Sequence, residues 1–373
     1  MQNFPADEDD WGRPVWEDEA DEAREDLLPR ARVPSGTGRG AEQALLAPLA
    51  TAVEVVARLD ARAACASDRV AEGLRRRLAL REAAGWLAHQ GAWIHPTDLA
   101  LREAGLTGSY TAAAITGRLR SALPTTSDSG PPDRVADDLA VSCALQLGRL
   151  WLRLAERRTW TPLASADALR QTLGQLGQYG HPDEALTGFL GRFAGKPGIG
   201  SRAVPPLLRA GQAAQAWTSE YAGAGEGRAD RLSTSGLFLA ACVWRRGTTL
   251  AAIALPVWSA TPTRLQALAS KAGARWMADF LDCVTDAAQR AGQELTRLQA
   301  AEDRIGGLTQ TARSHLPGAA DLALRRPVLT ARTLAERLQV TPQAALGLIR
   351  QLAAAGLLRE ATGRQAWRAF VVA

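Results

Sequence analysis

The clearest pattern in the chain is RPVLTARTLAERLQVTPQAALGLIRQLAAAGLLREATGRQAWRAFVV, residues 326–372. Thr330 is placed to cap the short helix that follows it, because a threonine hydroxyl accepts a hydrogen bond from a backbone amide of the first helical turn. Thr341 caps a second helix, and Pro342 takes its first position, where a missing amide hydrogen costs nothing. Gly356 ends this helix in the left-handed conformation that glycine adopts readily. The pattern predicts two helices joined by a tight turn.

The residues that follow the second helix indicate a β-hairpin. GLLREATGRQAWRAFVV, residues 356–372, is typical of a strand, a Gly-Arg turn and a second strand. The second helix is expected to face inward with four apolar residues, Ala345, Leu348, Ile349 and Leu352. The sequence therefore predicts a helix-turn-helix with a β-wing, a winged helix-turn-helix domain, over residues 321–373.

This arrangement suits DNA, because the second helix can enter a major groove while arginines of the wing contact phosphates. Gln343, one turn into the helix, could read an adenine edge. The predicted DNA-binding residues are Arg332, Thr341, Gln343, Arg350, Arg364 and Arg368. Ala344, Leu346 and Gly347 are poor hydrogen-bonding residues at positions where base readers often lie, so a purely structural or dimerising winged helix stays open as the alternative.

Charge is distributed unevenly along the 373 residues. Residues 1–30 hold 11 acidic residues and 3 arginines, a net −8, whereas residues 325–373 hold 8 arginines and 2 glutamates, a net +6. A basic C-terminal module favours a polyanionic partner, here double-stranded DNA. One small recognition helix reads few base pairs, so we expect a homodimer. The acidic residues 1–40 are predicted to be a disordered arm.

Between residues 41 and 315 the apolar residues recur at a spacing of three and four, which predicts helices throughout. The segment RLQALASKAGARWMADFLDCVTDAAQRAGQELTRLQAAEDRI, residues 264–305, predicts two long helices. His95-Pro96 and His181-Pro182 are expected to open helices, with the proline in the first turn. The predicted fold is all-α: a multi-helix bundle, followed by a small winged helix-turn-helix domain with one β-hairpin.

Several function classes are excluded by composition and spacing. The four cysteines and four histidines are dispersed without metal-ligand spacing, so we expect no metal site and no cofactor. No run approaches the roughly 18 apolar residues that span a membrane. The first residues are acidic, unlike a signal peptide. The expected location is the cytoplasm, with no membrane association.

A glycine-rich segment, AGAGEGRADRL at residues 222–232, precedes another apolar helix. Glycines followed by an arginine at the start of a helix can hold a phosphate through backbone amides and a guanidinium. This predicts a residual anion site for a small anionic effector at Gly225, Gly227, Arg228 and Arg231. The alternative is a plain loop whose arginines pair with one of three nearby acids, Glu220, Glu226 or Asp230.

The wider stretch PPLLRAGQAAQAWTSEYAGAGEGRADRLSTSGLFLAACVWRRG, residues 205–247, resembles the core of Fic-domain proteins, whose motif is HPFxxGNGRxxRLL. The resemblance extends over about residues 200–373, since many Fic proteins end in a winged helix. The whole chain is also similar to uncharacterised bacterial proteins of rhizobial type that join such a body to a C-terminal helix-turn-helix. In active Fic enzymes the motif histidine is the general base, and the asparagine, glycines and arginines hold nucleotide phosphates.

Two departures from the Fic motif decide what the resemblance implies. Gly225, Gly227, Arg228 and Arg231 match the motif, but Glu226 replaces its asparagine and the segment contains no histidine. A glutamate beside a triphosphate is repelled wherever water is excluded, and a general base needs a pKa close to 7. We therefore predict no catalytic residue.

The leading interpretation is a non-enzymatic, DNA-binding transcriptional regulator whose Fic-like body serves dimerisation or effector sensing. One alternative is a divergent Fic-type nucleotidyl transferase that uses Glu220 or Glu226. Another is a toxin–antitoxin-like interaction protein with the acidic arm as a detachable ligand.

Overall fold

The computed structural model describes residues 38–90, 92, 94–106, 134–156, 160–195, 204–221, 232–250, 252–270, 273–306, 314–361 and 368–373. Residues 45–373 form one compact unit, and of residues 1–44 only the beginning of a helix, 38–44, is described. The described chain is mostly helical, with one small sheet near the C-terminus. This confirms the predicted all-α class.

Six helices make up the described part of the N-terminal half. They are α1 (Gly38–Cys65), α2 (Asp68–His89), α3 (Pro96–Glu103), α4 (Arg134–Glu156), α5 (Ala166–Gln175) and α6 (Asp183–Phe193). Ser67 and Ser165 accept the capping hydrogen bonds of α2 and α5. His95 precedes Pro96 at the start of α3, as predicted, whereas Pro182 is the residue before the first turn of α6 and not part of it.

The second half of the body contains one helix much longer than the others. Its elements are α7 (Pro206–Ala216), which continues into the π-helical turn Trp217–Tyr221, then α8 (Thr234–Gly247), α9 (Pro262–Ala269) and α10 (Gly273–Gly306). Of the two long helices predicted for residues 264–305, the first is only 8 residues and the second is 34. Gly292 does not interrupt α10, because buried Ala288, Ala291 and Leu295 continue its apolar stripe on both sides.

The body core forms around α2, α7, α8 and α10, with tryptophans at its centre. Trp217, Trp244 and Trp258 are fully buried. The carboxylate of Glu82, also fully buried, accepts hydrogen bonds from the amides of Val257, Trp258 and Ser259 and from the Ser259 hydroxyl. Burial raises the pKa of Glu82, while these hydrogen bonds act in the opposite direction. This contact fixes the irregular segment before α9 against α2.

The C-terminal part has the predicted two helices and adds a strand that the sequence did not predict. Its elements are α11 (Leu316–Arg325), β1 (Leu329–Thr330), α12 (Ala331–Leu338), α13 (Pro342–Ala354), β2 (Leu358–Glu360) and β3 (Ala369–Val372). The three strands are antiparallel in the order β1-β3-β2. Leu329 lies opposite Phe370, and Arg359 lies opposite Val371.

These C-terminal elements share the hydrophobic core of the body. Val328, Ala369 and Val371 belong to the same buried cluster as Leu87 and Leu101 from α2 and α3. The buried residues of α11, α12 and α13 belong to the large cluster formed by the body helices. The last 58 residues are therefore packed against the body along α2, α3 and α10.

Candidate nucleic-acid interface

The two helices of the helix-turn-helix begin and end through local hydrogen bonds. The Thr330 hydroxyl accepts from the amide of Thr333 at 3.1 Å, and the Thr341 hydroxyl accepts from the amide of Ala344 at 3.2 Å. These contacts start α12 and α13 and confirm the two predicted caps. Gly356, with φ 68°, ends α13 in the left-handed conformation, also as predicted.

The turn between α12 and α13 contains a glutamine in a backbone conformation that residues other than glycine rarely adopt. Gln339 has φ 54° and ψ 42°, the left-handed helical region. Side chains other than glycine are disfavoured there because the Cβ approaches a carbonyl oxygen. This single residue sets the angle at which α13 leaves α12, so the position of the second helix depends on it.

One face of α13 is buried and the other is open to solvent. Ala345, Ile349 and Leu352 are fully buried, and Leu348 is partly buried. The exposed positions in this helix are Pro342, Gln343, Ala344, Arg350, Gln351 and Ala354. Gln343 and Arg350 are seven residues apart, two helical turns, so they lie on the same outward face.

Gly347 lies between Gln343 and Arg350 on this outward face. A Cβ placed at Gly347 would contact nothing within 4 Å. Glycine in a helix interior costs about 1 kcal/mol relative to alanine, and here no intramolecular contact requires it. A surface without a side chain at this point lets another molecule approach the helix backbone closely.

The other predicted DNA-binding residues lie around α13. Arg332, on the first turn of α12, has its side chain 85% exposed and pairs with Glu336 at 2.9 Å. Arg368, at the start of β3, lies 3.8 Å from Glu360 of β2. Thr341 is exposed, and its hydroxyl is engaged as the cap of α13. Arg364 lies outside the described residues.

Two exposed polar residues of the same module, Gln351 and Arg337, are not among the predicted DNA-binding residues. Gln351 follows Arg350 on α13, and Arg337 lies in the last turn of α12. The signal for Gln351 was present in the sequence, since it is eight residues after Gln343 and so lies close to the same face. Gln351 carries no charge, so the charge pattern of the sequence did not indicate it.

A buried arginine of the body holds the start of the module. The Arg77 guanidinium donates to the carbonyls of Leu324 at 2.7 Å and Arg326 at 2.8 Å, at the C-terminal end of α11. The last carbonyls of a helix have no partner within the helix, so a cation there is favourable. The Nε of Arg77 lies 3.3 Å from the carboxylate of Glu294 on α10. Burial lowers the pKa of Arg77 to about 10, and the Glu294 carboxylate opposes that change.

Further contacts join the module to the body. Arg325 of α11 pairs with Glu72 of α2 and with Asp321. Arg297 of α10 donates to the carbonyl of Val372 in β3 at 2.7 Å. The contacts together connect α11 and β3 to two different body helices, so the orientation of α13 is fixed relative to the body.

The predicted anion site at Gly225, Gly227, Arg228 and Arg231 lies outside the described residues. Its flanks are described: α7 and its π-helical turn end at Tyr221, and α8 begins at Thr234. Glu220, considered as a partner of the loop arginines, pairs with Arg192 of α6 at 2.9 Å. The Trp217 indole donates to the Ser235 hydroxyl at 3.0 Å and connects the two flanks.

Within the described ranges the structure offers neither a metal site nor a membrane span. Among these residues no group of three or more His, Cys, Asp or Glu side chains could hold a metal ion. None of the described helices is both long enough and apolar enough to cross a membrane. Cys242 and Cys283 are buried free thiols whose pKa burial raises.

Comparison with known proteins assigns the C-terminal module. Residues 316–372 match the protein family described as HTH DNA binding domain. No curated protein matches the chain. No family match confirms the resemblance of the body to Fic-domain proteins. The chain thus carries a helix-turn-helix DNA-binding domain that begins at α11 and ends in β3.

Proposed function

We propose that this protein is a transcriptional regulator that places α13 in the major groove of double-stranded DNA. The observation that carries the proposal is the outward face of α13, on which Gln343 and Arg350 flank the open backbone at Gly347. Gln343 is assigned to a base edge, since glutamine can bond bidentately to adenine. Arg350 is assigned to a phosphate.

Charge around this helix supports the assignment. Residues 325–373 carry a net charge of +6, from 8 arginines and 2 glutamates. Arg332 and Arg368 are exposed on either side of α13 in sequence, and we assign both to phosphate contacts. Arg364 completes the proposed wing of a winged helix on the evidence of the sequence alone.

The body is proposed to be a non-catalytic relative of Fic domains, located with its DNA in the cytoplasm. Its support is the absence of the motif histidine and asparagine from the sequence between α7 and α8. The two helices that flank this segment pack against each other, which agrees with the Fic-like order of elements. Pairing of Glu220 with Arg192 leaves that carboxylate occupied by a cation of α6.

The proposed functional form is a homodimer, because two recognition helices read a longer site than one. An apolar stripe on α1 supports a self-association surface. It carries Leu46, 62% exposed, and Val53, 44% exposed, with Ala50 between them. A two-fold axis beside this helix would bring the same residues of two copies together.

Gel shifts of the full chain over a series of salt concentrations test the DNA-binding proposal. We expect Arg350→Gln to lower affinity for every duplex and to reduce the slope of log K against log salt by about one. Gln343→Ala should cost about 1–3 kcal/mol on a selected site and little on random DNA. Arg58→Gln is the matched control, since it also removes one exposed positive charge but does so on α1, outside the DNA-binding domain.

Two results would contradict the proposal. One is the absence of salt-sensitive binding to any duplex. The other is binding that Arg350→Gln and Arg58→Gln weaken equally, since that would indicate a general effect of net charge and no role for α13.

A further inference from the structure

A cavity of about 160 Å³ lies where the DNA-binding domain meets the body. Its walls come from α2, α3 and α4 and from the segment 326–328, which connects α11 to β1. Most of the lining is apolar, and it includes Leu80, Leu145, Leu152 and Val328. An engineered cavity of about 150 Å³ in another protein binds benzene. The space therefore suits an organic group about the size of one six-membered ring.

The charged groups that line the cavity are unbalanced. They are Arg76, Arg149, Arg326 and Glu103, three positive charges and one negative. Arg149 lies at the mouth, with its side chain 59% exposed and 3.8 Å from the Glu103 carboxylate. This separation exceeds that of a good hydrogen bond. An incoming anion can thus bind Arg149 without first breaking a strong pair.

Arg326 is the least satisfied of the three arginines. In the described part of the chain its guanidinium has no hydrogen-bond or ion-pair partner, while Arg76 pairs with Glu72 at 3.1 Å. Burial lowers the pKa of Arg326, and the positive charges of Arg76 and Arg337 lower it further, while the carboxylates of Glu72 and Glu103 act in the opposite direction. A half-buried guanidinium without a hydrogen-bond partner is stabilised by an anion that accepts its hydrogen bonds.

We propose that this cavity binds a small organic carboxylate with an apolar body of about one ring. The carboxylate would accept hydrogen bonds from Arg326, with Arg149 at the mouth, and the ring would contact Leu80, Leu145 and Val328. The planar guanidinium matches the two oxygens of a carboxylate. Apolar walls favour an organic acid over inorganic phosphate, which has no group to place against them.

The position of Arg326 connects the cavity to the DNA-binding domain. The backbone carbonyl of Arg326 accepts from Arg77, and Val328 packs with β3 in the buried cluster. A ligand held by this segment contacts the chain that leads directly into β1 and α12. We therefore expect the bound carboxylate to change the affinity of the protein for DNA. This effect on DNA affinity rests on the proposed function, whereas carboxylate binding itself does not.

Titration calorimetry and thermal unfolding of the full chain without DNA test the binding site. The probes are benzoate and cyclohexanecarboxylate, with benzamide as the neutral isostere and inorganic phosphate as the anion without an apolar body. We expect both carboxylates to bind and to raise the Tm, and benzamide and phosphate to bind at least about tenfold more weakly, because a hydrogen bond to a charged group is worth more than a neutral one.

Arg326→Met should weaken benzoate at least about tenfold, since it removes the guanidinium and keeps an apolar side chain. Arg149→Met, at the exposed mouth, provides a second variant in case Arg326→Met does not fold. The matched control is Arg58→Met, an exposed arginine of α1 whose loss should leave benzoate binding unchanged.

Failure of both carboxylates to bind overturns the inference, as does binding of benzamide or phosphate as tight as that of benzoate. Gel shifts with and without benzoate then separate the two proposals. If the chain binds DNA in a salt-sensitive way but does not bind benzoate, the carboxylate site is contradicted and the proposed regulator function is supported. If the chain binds benzoate but does not bind DNA, the carboxylate site is supported and the proposed regulator function is contradicted.

Discussion

Gln339 and Gly356 both have left-handed backbone conformations, at opposite ends of α13, but only one of them is glycine. The conformation costs a side chain roughly 1 kcal/mol or more. Gln339 is exposed, and no hydrogen bond of its side chain is among those that start α13. The conformation of Gln339 therefore costs stability that a glycine at this turn would not cost.

We predict opposite effects of two substitutions at these positions. Gln339→Gly should raise the free energy of unfolding by up to about 1 kcal/mol, because it removes the strain. Gly356→Ala should lower it by about 1 kcal/mol, and the cause must be backbone strain, since a Cβ there meets nothing within 4 Å. Urea unfolding followed by circular dichroism measures both, and effects of the same sign would contradict the argument.

At the scale of single residues, the sequence predicted the features that depend only on residues nearby in the chain. The caps at Thr330 and Thr341 and the stop at Gly356 were all found, because each is decided within four residues. The partners of Arg77 were not predicted, since the carbonyl of Leu324 is 247 residues away and gives no local signal. The residues that line the cavity beside Arg326 were not predicted either, since they come from helices and a segment that are far apart in the sequence.

The contact between α2 and α11 depends on a carboxylate. Burial raises the pKa of Glu72, but hydrogen bonds from Arg325 and Arg76 outweigh it and hold this pKa below 4.5. A carboxylate whose pKa is lower in the folded than in the unfolded chain adds stability above about pH 4.5. That stability is lost as the pH falls through the pKa of the folded state.

We therefore expect Glu72→Gln to lower the free energy of unfolding by up to about 1 kcal/mol at pH 7, the scale of a partly exposed ion pair. The difference from the native chain should shrink as the pH falls below 4.5, when the native carboxyl is also neutral. Urea unfolding at several pH values measures it. Glu336→Gln, in the exposed pair with Arg332, is the control. A difference that does not change with pH would refute this role of the charge.

At the level of elements, the pattern of the sequence predicted helices well and short strands poorly. β1 has two residues, too few to show alternation, and β3 is buried at all four positions, so it does not alternate either. The undivided α10 shows that a glycine without a proline nearby does not end a helix whose apolar stripe continues.

Across the whole molecule, the shared core predicts that the DNA-binding domain and the body unfold together. Residues of α11, α12 and α13 belong to the same buried cluster as Trp217, Trp244 and Trp258. Eight of the eleven tryptophans lie in residues 41–315, and Trp367→Phe removes the one in the DNA-binding domain. We expect the tryptophan fluorescence of this variant and the hydrogen exchange of residues 316–361 to give one urea midpoint. An earlier opening of residues 316–361 would contradict a common core.

A variant of Arg77 tests what maintains this cooperativity. Arg77→Met should lower the free energy of unfolding by about 3 kcal/mol, because it leaves the last carbonyls of α11 buried without a donor and removes one of the two cations that pair with the buried Glu294, the other being Arg81. Arg332→Met, which removes an exposed arginine, should cost less than about 1 kcal/mol. The same urea titration measures both, and equal effects would contradict the role given to Arg77.

The proposed dimer predicts a change in mass when the α1 stripe is charged. Leu46→Glu should shift the sedimentation equilibrium toward the monomer by at least about tenfold in the dissociation constant, since it places like charges at a two-fold contact. Leu139→Glu is the matched control, because Leu139 on α4 is 64% exposed and lies outside the stripe. A native chain that is monomeric throughout would contradict the dimer.

The order of the three strands has a consequence for the growing chain. β3 lies between β1 and β2 in the sheet but is synthesised after both of them. Until it emerges from the ribosome, β1 and β2 have no strand to pair with, whereas α12 and α13 rest on local contacts that can form early. A nascent chain therefore contains the second helix of the helix-turn-helix before the sheet beside it is complete, and the sheet is completed only when β3 has been made.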